Sequence, residues 1–170
     1  MIVALAGLPG TGKSTLAARL AAAVGGVVLN KDAVRAALFP APVPDFSPAA
    51  DEIAMAAIYA AAAHVRRTHP ARPVLLDGRT FSRASQVRDL LAAAGGDALR
   101  VIECVCADDV ARARLAADYA AGTHPAGNRT PDLYAAAKAR AEPLTVARLV
   151  LDTGVLPLDE CVARAVAYVG

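Results

Sequence analysis

The sequence predicts one α/β domain spanning residues 1–170, with a five-stranded, mainly parallel sheet flanked by helices. Three observations predict this class. Short β-branched or Leu-rich runs alternate with longer Ala-rich stretches along the whole chain. The chain has 170 residues, which suits one domain, and 56% of them are hydrophobic against 20% charged, which excludes a disordered segment. No repeat or domain linker interrupts the pattern.

Five continuous apolar runs predict the strands. Runs of this kind are typical of parallel strands, which helices cover on both faces. The predicted strands span residues 2–6, 27–29, 74–77, 99–105 and 149–152.

A proline-rich segment leads into the longest predicted helix. Residues 39–47 contain three prolines and should form a stiff, extended loop, which near strand ends often makes a wall of a substrate site. Ser47 is expected to cap the helix, which runs to about Thr68. Asp51 and Glu52 are favourable acids near its start, where the helix dipole is positive.

Further caps predict where the other helices begin. Ser82 is expected to cap one helix, and Asp108 or Asp109 to cap the next. The remaining predicted helices span residues 83–94, about 108–121, 131–141 and 157–169.

A second irregular segment, residues 122–130, combines Gly, Pro, Asn and His and should be flexible. Flexible loops near strand ends often close over a substrate. We therefore expect a lid at about residues 118–131.

The strongest motif lies between the first strand and the helix that follows it. Residues 7–15 read Gly-Leu-Pro-Gly-Thr-Gly-Lys-Ser-Thr, which fits G-x-x-x-x-G-K-[ST] in the strand and helix context that this pattern requires. Glycines let successive N–H groups point at phosphate oxygens, and the helix adds its positive end. The alternative, an accidental Gly-rich turn, is disfavoured by the complete match. The pattern predicts a nucleoside triphosphate site.

Each residue type in this loop has an expected role. Lys13 is expected to reach the β- and γ-phosphate oxygens, where it would also serve catalysis, and the Ser14 hydroxyl is expected to ligate Mg²⁺. The predicted ligands are therefore ATP and Mg²⁺. The predicted nucleotide contacts from the loop are Gly7, Pro9, Gly10, Thr11, Gly12, Lys13, Ser14 and Thr15.

Asp77 ends the third apolar run, at the edge of the sheet where such folds bind ligands. The carboxylate is expected to hold Mg²⁺ through water or to meet the acceptor. The alternative is a turn capped by Asp77 next to Gly78.

Residues 29–35, Leu-Asn-Lys-Asp-Ala-Val-Arg, should leave the second strand and enter a helix. With the loop at residues 7–15, this Asp-x-x-Arg resembles small P-loop kinases such as polynucleotide kinases, adenylylsulfate kinases, chloramphenicol phosphotransferases, zeta-toxin-like kinases and AAA-type kinases. The resemblance implies a single-domain P-loop NTPase of the nucleoside or nucleotide kinase type. It implies that Asp32 is the base or orienter of the acceptor hydroxyl, and that Arg35 orients acceptor or leaving phosphates.

Physical reasoning supports this role for Asp32. A hydroxyl that attacks phosphorus loses its proton late, so a carboxylate within hydrogen-bond reach suffices as base. Lys31 and Arg35 favour the charged carboxylate. The alternative is that Asp32 caps a helix beginning at Ala33, a role that can coexist with catalysis.

Residues 110–115 resemble the lid-entering helix of these kinases, where an R-x-x-x-R pair places one Arg against the adenine and one on the phosphates. Arg114 matches the first position, but Asp118 stands at the second. The missing cation is expected from Arg129, as a catalytic residue, or from Arg112. The alternative is that either arginine is only an exposed surface residue, and for Arg112 this alternative is favoured.

Two further arginines follow the Asp77 strand end. Arg79 and Arg83 are expected to overhang the acceptor pocket and to grip an anionic substrate, unless they only form a solvated helix entrance.

Composition limits the partners. A net charge of +2 and a pI near 8.6 fall short of a nucleic-acid-coating protein. The three cysteines have no paired spacing and are expected to be reduced core residues. Because no apolar run could span a bilayer and the N-terminus does not read as a signal peptide, we expect a cytoplasmic protein.

Together these features predict an ATP- and Mg²⁺-dependent kinase that phosphorylates a hydroxyl of a small molecule. One alternative is a polynucleotide 5′-hydroxyl kinase, although the four Tyr and three Phe form no stripe with basic residues, so nucleic acid is not the expected partner. Another is a nucleotide-dependent regulatory ATPase or switch. The acceptor and the oligomeric state stay open.

Overall fold

The computed structural model describes residues 1–96, 98–122 and 131–170. Strands and helices alternate along the chain, with α2 and α3, and α5 and α6, as consecutive helices. The strands are β1 (Ile2–Ala6), β2 (Val27–Asn30), β3 (Val74–Asp77), β4 (Leu99–Val105) and β5 (Leu149–Asp152). The helices are α1 (Lys13–Val24), α2 (Lys31–Leu38), α3 (Pro48–Thr68), α4 (Ala84–Ala94), α5 (Asp108–Ala121), α6 (Pro131–Ala139) and α7 (Leu158–Val169).

The strands form one sheet in the order β2-β3-β1-β4-β5. Every strand pair in it is parallel, with Ile2 of β1 opposite Val74 of β3 and Leu99 of β4. This confirms the predicted fold class. Because β1 is central, the loop after it lies at the middle of the carboxyl edge of the sheet, where parallel α/β folds bind ligands.

Helices cover both faces of the sheet, and the strands are apolar on both sides for that reason. Val3 and Leu5 of β1 pack with α1 and α7, whereas Ile2 and Ala4 pack with α3 and α4. All five residues of β1 are buried.

One predicted helix cap is confirmed, and others are wrong. The Ser47 hydroxyl accepts a hydrogen bond from the Ala50 N–H at 3.1 Å and caps α3. Ser82 does not cap α4, because its hydroxyl donates to Thr80 Oγ1 at 2.9 Å. Glu142, from a distant segment, accepts from the N–H of Ala84 instead.

The predicted cap of α5 by Asp108 or Asp109 is also wrong. Ala107 occupies the N-cap position, and no side chain there accepts a hydrogen bond. The Asp108 carboxylate instead accepts from the Tyr134 hydroxyl and from Lys138 of α6. These two hydrogen bonds hold the pKa of Asp108 below its usual value.

The junction of β2 and α2 differs from the prediction in a way that bears on function. Strand β2 extends one residue further, to Asn30, and α2 begins at Lys31. The Asn30 side chain accepts from the Ala33 N–H at 2.9 Å and caps the helix. The alternative that Asp32 is the cap is therefore wrong. Small differences at other ends are that α4 begins at 84, α6 ends at 139 and α7 begins at 158.

The cysteines Cys104, Cys106 and Cys161 are free thiols. Cys104 and Cys161 lie in the core beside α1, as predicted. Burial raises the pKa of Cys104 to about 12, so this thiol stays neutral. Among the described residues, no helix is long and apolar enough to cross a membrane.

Candidate active site

The phosphate loop (residues 7–15) turns sharply between β1 and α1, and glycine is required where it does so. Gly7 has φ of +130°, and a Cβ there would lie 2.2 Å from the Cys104 carbonyl oxygen. Gly10 has φ of +78°, and its Cβ would lie 2.5 Å from the Ala111 carbonyl oxygen. The loop is thus wedged between β4 and α5, at positions that admit no side chain.

Replacing Gly7 by Ala is expected to destabilise the fold and weaken nucleotide binding. Backbone strain and the clash with Cys104 should lower the free energy of unfolding by about 3 kcal/mol. Gly96→Ala is a matched control, because Gly96 has φ of +80° but a Cβ there meets nothing within 4 Å. That change should cost about 1 kcal/mol. Urea denaturation measures the free energy of unfolding of both variants. Equal losses of stability would show that the close contact between Gly7 and Cys104 does not matter.

The loop also positions its lysine. Lys13 is 5% exposed, and its Nζ donates to the Leu8 carbonyl oxygen at 2.7 Å. The Thr11 hydroxyl donates to the same oxygen at 2.8 Å. This hydrogen bond fixes the position of the ammonium over the loop.

A cavity of about 560 Å³, here called the Lys13 cavity, opens on one side of the loop. This volume lies in the range of small-molecule sites. The loop and α1 form one wall, and α5, the end of β5 and α7 form the other. Its lining residues are Gly10, Gly12, Lys13, Ser14, Thr15, Leu16, Arg114, Asp118, Thr153, Leu156, Leu158 and Cys161.

Hydrogen bonds fix Arg114 in this cavity. Its guanidinium donates to the Thr153 carbonyl oxygen at 2.8 Å and to the Thr153 hydroxyl at 3.0 Å. That hydroxyl in turn donates to the Thr11 carbonyl oxygen at 2.9 Å. Hydrogen bonds through Thr153, the residue after β5, therefore connect Arg114 to the phosphate loop. Asp118 lines the same cavity one turn further along α5.

The predicted second cation of this region is not found among the described residues. Arg112 is exposed, and its guanidinium lies 5.9 Å from the Tyr134 ring centroid, outside the Lys13 cavity. Arg129 lies outside the described residues, so its role stays a prediction. Most of the predicted lid, residues 123–130, also lies outside them.

The residues predicted to hold Mg²⁺ offer suitable donors. Asp77 is 3% exposed at the end of β3, and its Oδ2 accepts from the Asn30 side-chain amide at 2.6 Å. Its buried Oδ1 has no hydrogen-bond partner among the described residues. An unpaired buried carboxylate oxygen is costly without a cation or water, and Mg²⁺ prefers oxygen donors. Together with the Ser14 hydroxyl, this carboxylate fits the metal.

A second cavity of about 250 Å³, the Asp32 cavity, opens on the other side of the loop. Pro9 of the loop forms part of its wall. The charged residues that line it are Lys31, Asp32, Arg35, Asp51, Glu52, Arg79, Arg83 and Arg140. Polar Thr80, Ser82 and Gln86 complete its hydrogen-bonding groups.

Four of these residues pair with one another in a set of ion pairs. Asp32 is 4% exposed, and its Oδ1 lies 3.2 Å from both Lys31 Nζ and an Arg35 guanidinium nitrogen. The Asp51 carboxylate pairs with the same two cations, at 2.8 Å from Lys31. Arg35 also stacks on Phe46, 4.9 Å from the ring centroid. The structure thus brings Asp32 and Arg35 together, as predicted.

The predicted substrate residues Arg79 and Arg83 line the same cavity. Arg79 is 6% exposed, and one of its guanidinium nitrogens donates to Glu52 at 2.7 Å. Arg83 is exposed at the start of α4. Close packing of Gly78 against Lys31 and Asp32 joins this segment to α2.

The sequence interpretation did not assign Asp51, Glu52 and Arg140 to the site. Asp51 and Glu52 were explained as favourable acids near the start of α3, which is true but incomplete. The usable signal was their position just after the short loop that follows α2, since this loop lets the start of α3 pack against α2. Arg140 follows α6, and no pattern in its neighbourhood indicates a site.

Comparison with known proteins identifies the family of this chain. A family model described as AAA domain matches residues 2–144. No curated protein sequence matches the chain significantly.

Solved structures share the fold across the whole chain at low identity. A candidate kinase from Chloroflexus aurantiacus superposes with a TM-score of 0.75 at 23% identity, covering 98% of this chain and 97% of that one. A sugar kinase from Janibacter sp. gives 0.69 at 18%, covering 99% and 93%. Kti12 from Chaetomium thermophilum, solved with ADP-AlF3, gives 0.69 at 17%, covering 100% of both chains. The chain therefore belongs to this AAA domain family and has the fold of small P-loop kinases.

Proposed function

We propose that the protein is an ATP- and Mg²⁺-dependent phosphotransferase that moves the γ-phosphoryl group to a hydroxyl of a small molecule. The observation that carries this proposal is that the phosphate loop lines both the Lys13 cavity and the Asp32 cavity. Gly10, Gly12 and Lys13 line the Lys13 cavity, and Pro9 lines the Asp32 cavity. A nucleotide in the first would present its terminal phosphate to an acceptor in the second.

In this proposal Asp32 accepts the proton of the acceptor hydroxyl or orients that hydroxyl. The hydroxyl oxygen bonds to the γ-phosphorus as the bond to the β,γ-bridging oxygen breaks, ADP leaves, and the hydroxyl proton passes to the carboxylate. Asp32 suits this role because Asn30, not Asp32, caps α2. Its burial and two cationic neighbours hold the carboxylate in one place.

Positive charge would stabilise the transferring group. Lys13 is proposed to bind the β- and γ-phosphates, and Arg35 to orient acceptor or leaving phosphates. Arg114 is proposed to border the adenine, since Thr153 holds it at the side of the Lys13 cavity. Arg129 remains the proposed source of a further catalytic cation.

Ser14 and Asp77 would hold Mg²⁺, for which the unpaired Asp77 oxygen and the serine hydroxyl are suitable ligands. The metal would supply charge neutralisation on the phosphates.

The Asp32 cavity favours a small, polar acceptor. Its volume of about 250 Å³ is slightly below the usual range of small-molecule sites, which begins at about 300 Å³. Phe46 is the aromatic residue among its described lining, so it offers no row of stacking rings for a polynucleotide. The sugar kinase among the structural neighbours has an acceptor of the kind such a cavity could take.

A screen with γ-labelled ATP and Mg²⁺ tests this function. The purified protein is incubated with a panel of hydroxyl-bearing metabolites, and label is counted in acceptor and in free phosphate. We expect label in at least one acceptor, with little hydrolysis without it. Rapid hydrolysis with no labelled acceptor would contradict the proposal and favour an ATPase or switch. Salt-sensitive oligonucleotide labelling would favour the polynucleotide kinase instead.

A further inference from the structure

The charges around the Asp32 cavity are unevenly matched. Five cationic side chains line it against three carboxylates. The excess does not lie at Asp32, because Lys31 and Arg35 are balanced there by Asp32 and Asp51. Among the described residues, these two cations are matched by two carboxylates.

The rest of the cavity carries the excess. Arg79, Arg83 and Arg140 line the cavity away from that ion-pair set, and Glu52 is the acid paired with Arg79. Arg140 lies close to Arg83 because Glu142, two residues later, hydrogen-bonds with Ser82 and Ala84. Glu52 pairs with Arg79, but the side chain of Glu52 is 60% exposed. Arg83 and Arg140 form no ion pair with any other described residue.

The environment of Arg79 is the strongest evidence for a ligand in this part of the cavity. Its side chain is 6% exposed, and its Nε is buried without a hydrogen-bond partner among the described residues. A guanidinium withdrawn from water with an unmet donor is costly unless an acceptor reaches it. Carboxylate and phosphate groups match the fork of donors that arginine presents.

We propose that the acceptor carries a carboxylate or phosphate group in addition to the hydroxyl that is phosphorylated, and that Arg79, Arg83 and Arg140 bind this group. The inference rests on the proposed function for the hydroxyl. The substrate class is thus a hydroxy acid or a phosphorylated alcohol. The anionic group of the acceptor lies at the N-terminal end of α4, and the hydroxyl of the acceptor lies at Asp32.

Binding to the wild-type protein tests the anion site without relying on turnover. The phosphate loop is first saturated with AMPPNP and Mg²⁺, so that added anions do not occupy it. Calorimetry then compares matched probes: glycerol, glycerate and glycerol 3-phosphate, and the six-carbon set glucitol, gluconate and glucitol 6-phosphate. At least one charged probe should bind about tenfold or more tightly than its neutral partner. Comparison of the two charged forms tells carboxylate from phosphate.

Variants locate the site. Arg83→Gln and Arg140→Gln should each reduce this preference several-fold, and both change exposed residues, so folding should be kept. Arg88→Gln is the matched control. Arg88 is exposed on α4, the helix that begins directly after Arg83, but it does not line the cavity. The control should keep the preference.

If no charged probe binds more tightly than its neutral partner, or if the preference survives in both variants, the inference is wrong. Phosphoryl transfer separates this failure from that of the proposed function. Transfer to neutral and charged acceptors alike would overturn the anion site but leave a kinase. Anion-selective binding without transfer to any acceptor would keep the anion site but overturn the kinase.

Discussion

Asp32→Asn should lower the rate of phosphoryl transfer by about 10²- to 10⁴-fold, the range found when a general base is lost. The amide keeps the shape of the carboxylate but does not accept the proton. The dissociation constant for ATP should change by about twofold or less, because Asp32 lines the Asp32 cavity and not the Lys13 cavity. Label transfer measures the rate, and calorimetry measures ATP binding.

Asp51→Asn is the matched control for this experiment. Asp51 pairs with the same two cations as Asp32, so both changes remove one negative charge from the same ion-pair set. Asp51→Asn should act mainly on the KM for the acceptor, and its kcat should stay within about tenfold of the wild-type value. Equal losses of kcat in the two variants would mean that Asp32 only balances charge. A parallel loss of ATP affinity in Asp32→Asn would contradict its assigned place.

Lys13→Arg should lower transfer on the order of 100-fold, similar to the loss of one charge-stabilising donor. The change keeps the charge. However, Lys13 is 5% exposed and its Nζ lies 2.7 Å from the Leu8 carbonyl oxygen, so a bulkier guanidinium has little room beneath the loop. Steady-state kinetics with the acceptor that the screen identifies measure the loss.

Lys138→Arg is the control for that substitution. Lys138 is exposed and pairs with Asp108 at 2.6 Å, a contact that an arginine can also make. Its activity should stay within about twofold of the wild-type value. Retention of full activity by Lys13→Arg would show that any cation at this position suffices, and that a compact ammonium is not required.

The strands and the phosphate loop were predictable because their signals are local. A strand covered on both faces must be apolar throughout, and the residues of β1 are. The loop motif is contiguous. Its glycines are required because a Cβ would clash with the backbone of Cys104 or Ala111. Asp32 and Arg35 are three residues apart on one helix, so sequence spacing alone places them together.

The wrong caps of α4 and α5 have a common physical cause, which is competition from distant partners. Glu142, not Ser82, accepts the hydrogen bond from the first N–H of α4. The Asp108 carboxylate accepts from Tyr134 and Lys138 and therefore does not cap α5. No local pattern reveals contacts across 26 or 58 residues. The contribution of Asp51 to the site was missed for the same reason, because it depends on how α3 packs against α2.

The central claim is that the phosphate loop lies between a nucleotide and an acceptor hydroxyl held at Asp32. A crystal structure of the protein with AMPPNP, Mg²⁺ and the identified acceptor tests it through one distance, from the acceptor hydroxyl oxygen to the Asp32 carboxylate. We predict about 3 Å, with the nucleotide in the Lys13 cavity. An acceptor bound elsewhere, with another residue at its hydroxyl, would contradict the claim.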